Sequence, residues 1–123
     1  MSLLTVNPHM HLLGKSFLAY AVTPQNDTIK LVRIPKWDFR WQYFYTFKKI
    51  QKIPAGSRII AEATFDNTAE NPNNPFNPPQ VIIERSSPFE SMKTTNEMFQ
   101  LIFTYMPFRP GDENISLENA KLH

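Results

Sequence analysis

The chain contains no cysteine, so disulfides, thiolate zinc sites and thiol nucleophiles are excluded, and any transition metal must be held by His, Met, Asp or Glu. The same absence leaves the redox compartment open. Glycine is scarce at three residues, while eleven prolines are spread along the 123 positions. Proline removes a backbone donor and clashes with the preceding helical turn, so long helices have little room. Charge of one sign is missing too: 13 basic against 11 acidic side chains give a formal net charge of +2, which selects neither nucleic acid nor an anionic membrane as partner. No apolar run reaches the length of a membrane span. Nor does a basic stretch, an apolar segment and a small-residue cleavage site open the chain, which thus carries no address of its own.

What is present is apolar and aromatic. Apolar residues make up 41% and aromatics 13%, enough for one core in one domain of this length. Between the breakers lie short runs rich in β-branched and aromatic residues: "LLTV", "HMHLL", "SFLAYAV", "TIKLVRI", "WQYFYTF", "SRIIAEATF", "QVIIE" and "EMFQLIFTYM". Short strands with turn signals between them predict an all-β fold, an antiparallel β-sandwich or jelly roll. "TPQND" reads as a hairpin turn, "IPAGS" as the turn before the strand opened by Arg58, and residues 66–79 as a surface loop. The domain is expected over residues 1–110, with 111–123 a polar tail or short terminal turn. Because apolar "LLTV" follows Met1 directly, we expect the chain to be part of something longer, lacking the first strands of its sandwich.

Strand parity sorts the side chains. Val6, Met10 and Leu12 share an apolar face, and Asn7, His9, His11 and Leu13 share the other. Near the end, Phe99, Leu101, Phe103 and Tyr105 form a continuous apolar face expected to be core, and Met98, Gln100, Ile102 and Thr104 face away. Two of the three histidines thus sit at i and i+2 on one strand face, where two imidazoles can grip one ion. Imidazoles suit zinc, copper, iron or nickel, and a thioether favours copper, above all Cu(I). From His-x-His alone, a structural surface pair is as good a reading as a metal site. His123, the remaining histidine, is the last residue and a poor ligand candidate.

"HMHLLGK", followed far along the chain by "TNEMFQLIF", resembles the copper type II, ascorbate-dependent monooxygenase family, which includes peptidylglycine α-hydroxylating and dopamine β-monooxygenases. The resemblance is to the second, C-terminal domain and spans most of residues 5–108. The middle, with "IPKWDFRWQYFYTF", "IPAGSRI" and "FDNTAENPNNPFNPP", is more similar to bacterial members. The resemblance implies a jelly-roll sandwich with a copper held by His9, His11 and Met98, Glu97 being the acidic neighbour of the Met. It implies ascorbate as external reductant, dioxygen and a small-molecule C–H substrate as reactants, and an upstream electron-transfer copper domain as partner. A lone oxygen-activating half would bind copper and hydroxylate poorly, and the longer protein would be periplasmic or extracellular. Departures are visible. Phe99 stands where animal members have a Cys, and Asn7 and Ile102 stand where the peptide-amidating enzymes have an Arg and a Tyr that hold a substrate carboxylate. Missing strands would leave open edges, through which we expect a homodimer or larger assembly.

Other features have plainer readings. Trp37, Trp41, Tyr43 and Tyr45 could stack on a sugar or base, but such a stripe in a strand-rich domain is more often core or sheet face. Asp38, Glu62 and Asp66 read as solvated or paired carboxylates, and "KKIQK" as an exposed edge. Gln100, Thr104 and Asn7 lie on faces from which they could orient the imidazoles. Two other functions remain to be weighed: a non-catalytic β-sandwich that binds carbohydrate or protein, and a cupin-like iron dioxygenase, for which His123 is badly placed.

Overall fold

Alternating apolar and polar residues give each strand one face to bury. In a computed structural model of the chain, which describes residues 1–40, 45–83 and 97–118, those faces meet between two sheets. Six strands are present among the described residues: β1 (Ser2–Met10), β2 (Gly14–Val22), β3 (Thr28–Ile34), β4 (Tyr45–Lys52), β5 (Arg58–Phe65) and β6 (Phe99–Met106). They form two antiparallel three-stranded sheets, ordered β4-β1-β6 and β3-β2-β5. The fold is the all-β sandwich expected from the sequence. Leu3, Val6 and Met10 of β1 face Phe17, Ala19 and Ala21 of β2 in one buried cluster, closed by Leu31, Trp37 and Ile53. Because β1 and β2 are the central strands, their inner faces are covered on both flanks, and these side chains are among the least exposed of the described residues. A register shift between Leu3 and Thr5 lets Leu3 and Val6, three residues apart, both point inward.

The turns form where Pro, Gly and Asn call for them. In the β2–β3 hairpin, Asn26 adopts φ 65°, a left-handed conformation that Asn tolerates, and its N–H donates to the Thr23 carbonyl at 2.9 Å. Gly56, at φ 81°, turns the chain from β4 in one sheet to β5 in the other. Residues 66–79 contain no strand or helix, as expected of a loop, but side chains brace them. Asn71, only 2% exposed, donates from Nδ2 to the Asp66 carbonyl at 2.7 Å and accepts from Lys15 Nζ at 3.2 Å.

Several local expectations are corrected. "LLTV" and the start of "HMHLL" are one strand, which ends at Met10. The chain then turns, with the Gly14 N–H donating to the His11 carbonyl at 3.4 Å, so parity fails there: Leu13 is buried and Leu12 is not. "QVIIE" is not a strand over its described residues. The Ile82 N–H and carbonyl bond to the Asn67 carbonyl and side-chain amide, so this backbone pairs with a loop rather than a sheet. On β6 Leu101 and Phe103 pack on the core and Phe99 reaches its edge at Phe17, whereas Phe99 and Tyr105 remain 45% and 59% exposed, because β6 is an edge strand. The described part of "WQYFYTF", from Tyr45 on, is strand as expected, and Trp41 to Phe44 lie outside the described residues. After residue 110 a 3-10 turn, Asp112–Asn114, leads into a stretch along β4, where the Leu117 N–H donates to the Lys48 carbonyl at 2.8 Å.

Candidate metal centre

β1 delivers its two histidines at its very end. His9 is the penultimate residue of the strand and His11 lies one step past it. Their rings meet edge-on, with centroids 5.2 Å apart and planes at 89°. Two imidazoles bound through nitrogen to one ion at ~2.0 Å, near a tetrahedral angle, have centres roughly 5 Å apart, so the pair fits a shared ion. His11 is 4% exposed and His9 half-buried, which limits how far either ring can move. Three neighbours hold His11. Trp37 donates its indole N–H to the His11 carbonyl at 3.2 Å, Gly14 caps the same carbonyl, and the Phe39 ring stands edge-on to the imidazole at 5.7 Å. The glycine is needed for space: a Cβ there would lie 2.7 Å from Met10 Cε and 3.0 Å from Trp37 Cδ1.

The third sequence-predicted ligand lies just before β6. The β1–β6 ladder pairs His9 with Gln100 and ends at Met10 with Phe99, so His11 and Met98 are each the next residue beyond the last pair. The backbone thus brings Met98, half-buried, to the same end of the β1–β6 pair as the two histidines. Glu97 closes the junction. Its Oε2 accepts the N–H groups of His11 and Met98, the latter at 2.9 Å, and its Oε1 accepts that of Leu13 at 2.9 Å. Among the described residues no three His, Cys, Asp or Glu side chains form a metal-binding group. With a thioether as third donor, two imidazoles would suit copper best.

The remaining candidates separate clearly. Gln100 stands across from His9 on the ligand face, whereas Thr104 pairs with Thr5 in the half of β1 remote from the histidines. Asn7 and Ile102 are direct cross-strand partners on the ligand face. Trp37 is 9% exposed and hence no stacking platform, and Tyr45 is exposed on an edge strand. Trp41, Tyr43 and His123 lie outside the described residues. Asp38 pairs with Arg40 at 3.1 Å, and this contact holds its carboxyl below the usual range. Asp66 is lowered by the Thr68 hydroxyl and then by the Thr68 N–H, and Glu62 accepts from the Tyr20 hydroxyl at 3.3 Å. These carboxylates therefore have the plain roles expected of them. A recess of about 620 Å³ opens beside Phe39, lined by Leu12, Gly14, Lys36, Trp37, Arg40 and Asn73 among others. Phe39 is the residue that sequence reasoning missed, and Trp37, read as core or sheet face, is core as expected but also bonds to His11. Their partner lies far away along the chain, and no local pattern marks a loop aromatic as the neighbour of a strand histidine.

Residues 1–74 match the family described as copper type II ascorbate-dependent monooxygenase, C-terminal domain. The match takes in both histidines, Gly14 and the Trp37–Phe39 loop, and ends before Glu97 and Met98. No curated protein and no solved structure matches the chain. With more than half of its length matched and an all-β sandwich around the histidine pair, the chain belongs to the copper type II, ascorbate-dependent monooxygenase family, as its C-terminal domain.

Proposed function

We propose that this chain is the dioxygen-activating half of a copper monooxygenase, with His9, His11 and Met98 as the metal ligands. The observation that supports the reading is the edge-on histidine pair, with Met98 the next residue beyond the last β1–β6 pair at the same end of the sheet. When bound, copper would supply the activation of dioxygen for insertion of one oxygen atom into a substrate C–H bond, the other leaving as water at the expense of two electrons and two protons. The protein's part is to hold and shield. The turn at Gly14 and the Trp37 indole fix the His11 backbone, while Phe39 packs against its ring on the side of the recess, from which a small substrate would approach. Asn7 and Ile102 make a neutral wall on the ligand face, so a substrate carboxylate finds no cation at those two positions. The electrons would come from ascorbate through a separate electron-transfer copper domain, so the chain alone binds copper but turns over poorly. A secreted full-length protein agrees with that partner chemistry.

An anaerobic Cu(I) titration of the chain and its His11→Ala and Met98→Ala variants, with metal content read by elemental analysis, tests the reading. One tight copper per chain, weakened in both variants, is the expected result. Absence of copper binding, or binding indifferent to Met98, would overturn the ligand set.

A further inference from the structure

We propose that Glu97 is the positioning residue of this metal centre: one carboxylate ties the backbone on both sides of the β1–β6 junction and so fixes the thioether strand against the imidazole strand. The inference rests on the reading of His9, His11 and Met98 as ligands. It starts from where the ladder stops. The last paired residues are Met10 and Phe99, and two of the proposed ligands, His11 and Met98, each lie one step beyond them. There β1 bends away into the His11–Gly14 turn, so the sheet no longer holds the two chains together.

The carboxylate of Glu97 takes over that task. Oε2 accepts from the His11 and Met98 amides together, and Oε1 reaches two residues further to the Leu13 amide. Three donors converge on one acceptor-only group, a demand that an ionised carboxylate meets and a neutral amide does not, since the amide replaces one acceptor oxygen by an NH2 donor. The Leu13 bond also sets the exit of the turn. The Leu13 carbonyl accepts from the Asp66 N–H at 2.9 Å, so Glu97 and the 66–79 loop hold one residue from its two backbone sides. All three bonds go to backbone N–H groups, so through them Glu97 acts on the centre by way of backbone geometry.

The test compares wild type with Glu97→Gln, which keeps the side-chain size but turns an NH2 toward one or more amide donors, and with Asp112→Ala, which removes a buried carboxylate joined to Ser2 at the far end of β1. Three readouts are used: Cu(I) affinity, the sulfur contribution to the copper X-ray absorption spectrum, and amide exchange at His11, Leu13 and Met98 in metal-free protein. Loss of an outer partner of a metal site weakens binding about 10–100-fold. For Glu97→Gln we expect a loss in that range, a diminished sulfur contribution with the imidazole signal retained, and faster exchange of the three amides. Asp112→Ala should keep both copper properties even where its thermal stability falls. Glu97→Gln with native affinity and a native sulfur signal would overturn the positioning role while leaving the ligand set standing. A wild-type spectrum without sulfur would overturn the ligand set, and the positioning role with it.

Discussion

At the scale of single residues the site depends on small dimensions. Gly14 has no φ requirement for glycine, but the space its Cβ would need is taken by Met10, which is fully buried, and by the edge of Trp37. Gly14→Ala should therefore destabilise the protein by about 1–3 kcal/mol, the usual range for overpacking. The shift of Trp37 would also loosen its bond to the His11 carbonyl. Urea unfolding followed by tryptophan fluorescence measures the first effect, and an unchanged midpoint would show that Met10 swings aside freely. The absence of cysteine has a residue-scale counterpart at Phe99. Its ring lies 5.4 Å from Phe17 and 6.1 Å from Phe65, so aromatic packing joins β6 to the facing sheet where a covalent bridge is unavailable.

At the scale of elements, strands were legible wherever alternation ran uninterrupted, and illegible where tertiary contacts decided the outcome. The core face of β1 and the two turns at Asn26 and Gly56 follow directly from residue type. The fate of "QVIIE" does not: three apolar residues read as a strand until Asn67 is found to occupy their hydrogen bonds. The inward turn of Leu13 depends in the same way on a bond to Glu97 from the other end of the chain. His9 and His11 could be picked out from spacing, but the burial of His11 against Phe39 and Trp37 could not. The C-terminal segment is another case. Its polar composition suggests a tail, yet Asp112 is buried, accepts from Ser2 Oγ and the Arg109 N–H at 2.9 Å each, and so fastens the 3-10 turn to the start of β1. Asp112→Ala should cost about 1–3 kcal/mol, since two donors lose their acceptor. Faster amide exchange at Ile50 and Leu117 would accompany it, and unchanged exchange would mean that the strand pairing alone holds the segment.

The 66–79 loop makes a prediction about pH. Asp66 is held below its ordinary value of 3.8 by the Thr68 hydroxyl first and the Thr68 N–H second. A carboxyl whose pKa is depressed on folding stabilises the fold above its unfolded pKa and loses that contribution as pH falls through the folded one. Wild type should therefore lose stability relative to Asp66→Asn as pH drops below about 4. The effect is small, because the group is open to solvent and screened. Thermal midpoints of the two proteins between neutral and acid pH check this, and parallel curves over the whole range would remove Asp66 from the acid response.

At the scale of the whole molecule the four outer strands are not guarded alike. β4 carries Lys48, Lys49 and Lys52, β3 carries Lys30 and Arg33, and β5 carries Arg58 and Glu62, all exposed charges of the kind that discourage pairing with another chain. β6 has none. Its eight residues, "FQLIFTYM", contain neither charge nor proline, and Phe99, Ile102 and Tyr105 along it are exposed. Among the described residues no strand pairs with its outer edge. An apolar edge of this length with no strand on it among the described residues is a template for a further strand, and in a solution of this chain alone a second copy can supply one. Self-association through β6 is thus the expected behaviour, with a light-scattering mass that rises toward two chains as concentration increases. Ile102→Lys places a charge on that edge without touching the buried face, and should return the mass to one chain with little change in thermal stability. Wild type that stays at one chain at high concentration would mean that β6 is covered from within its own protein, and the same lysine would then lower stability instead of mass.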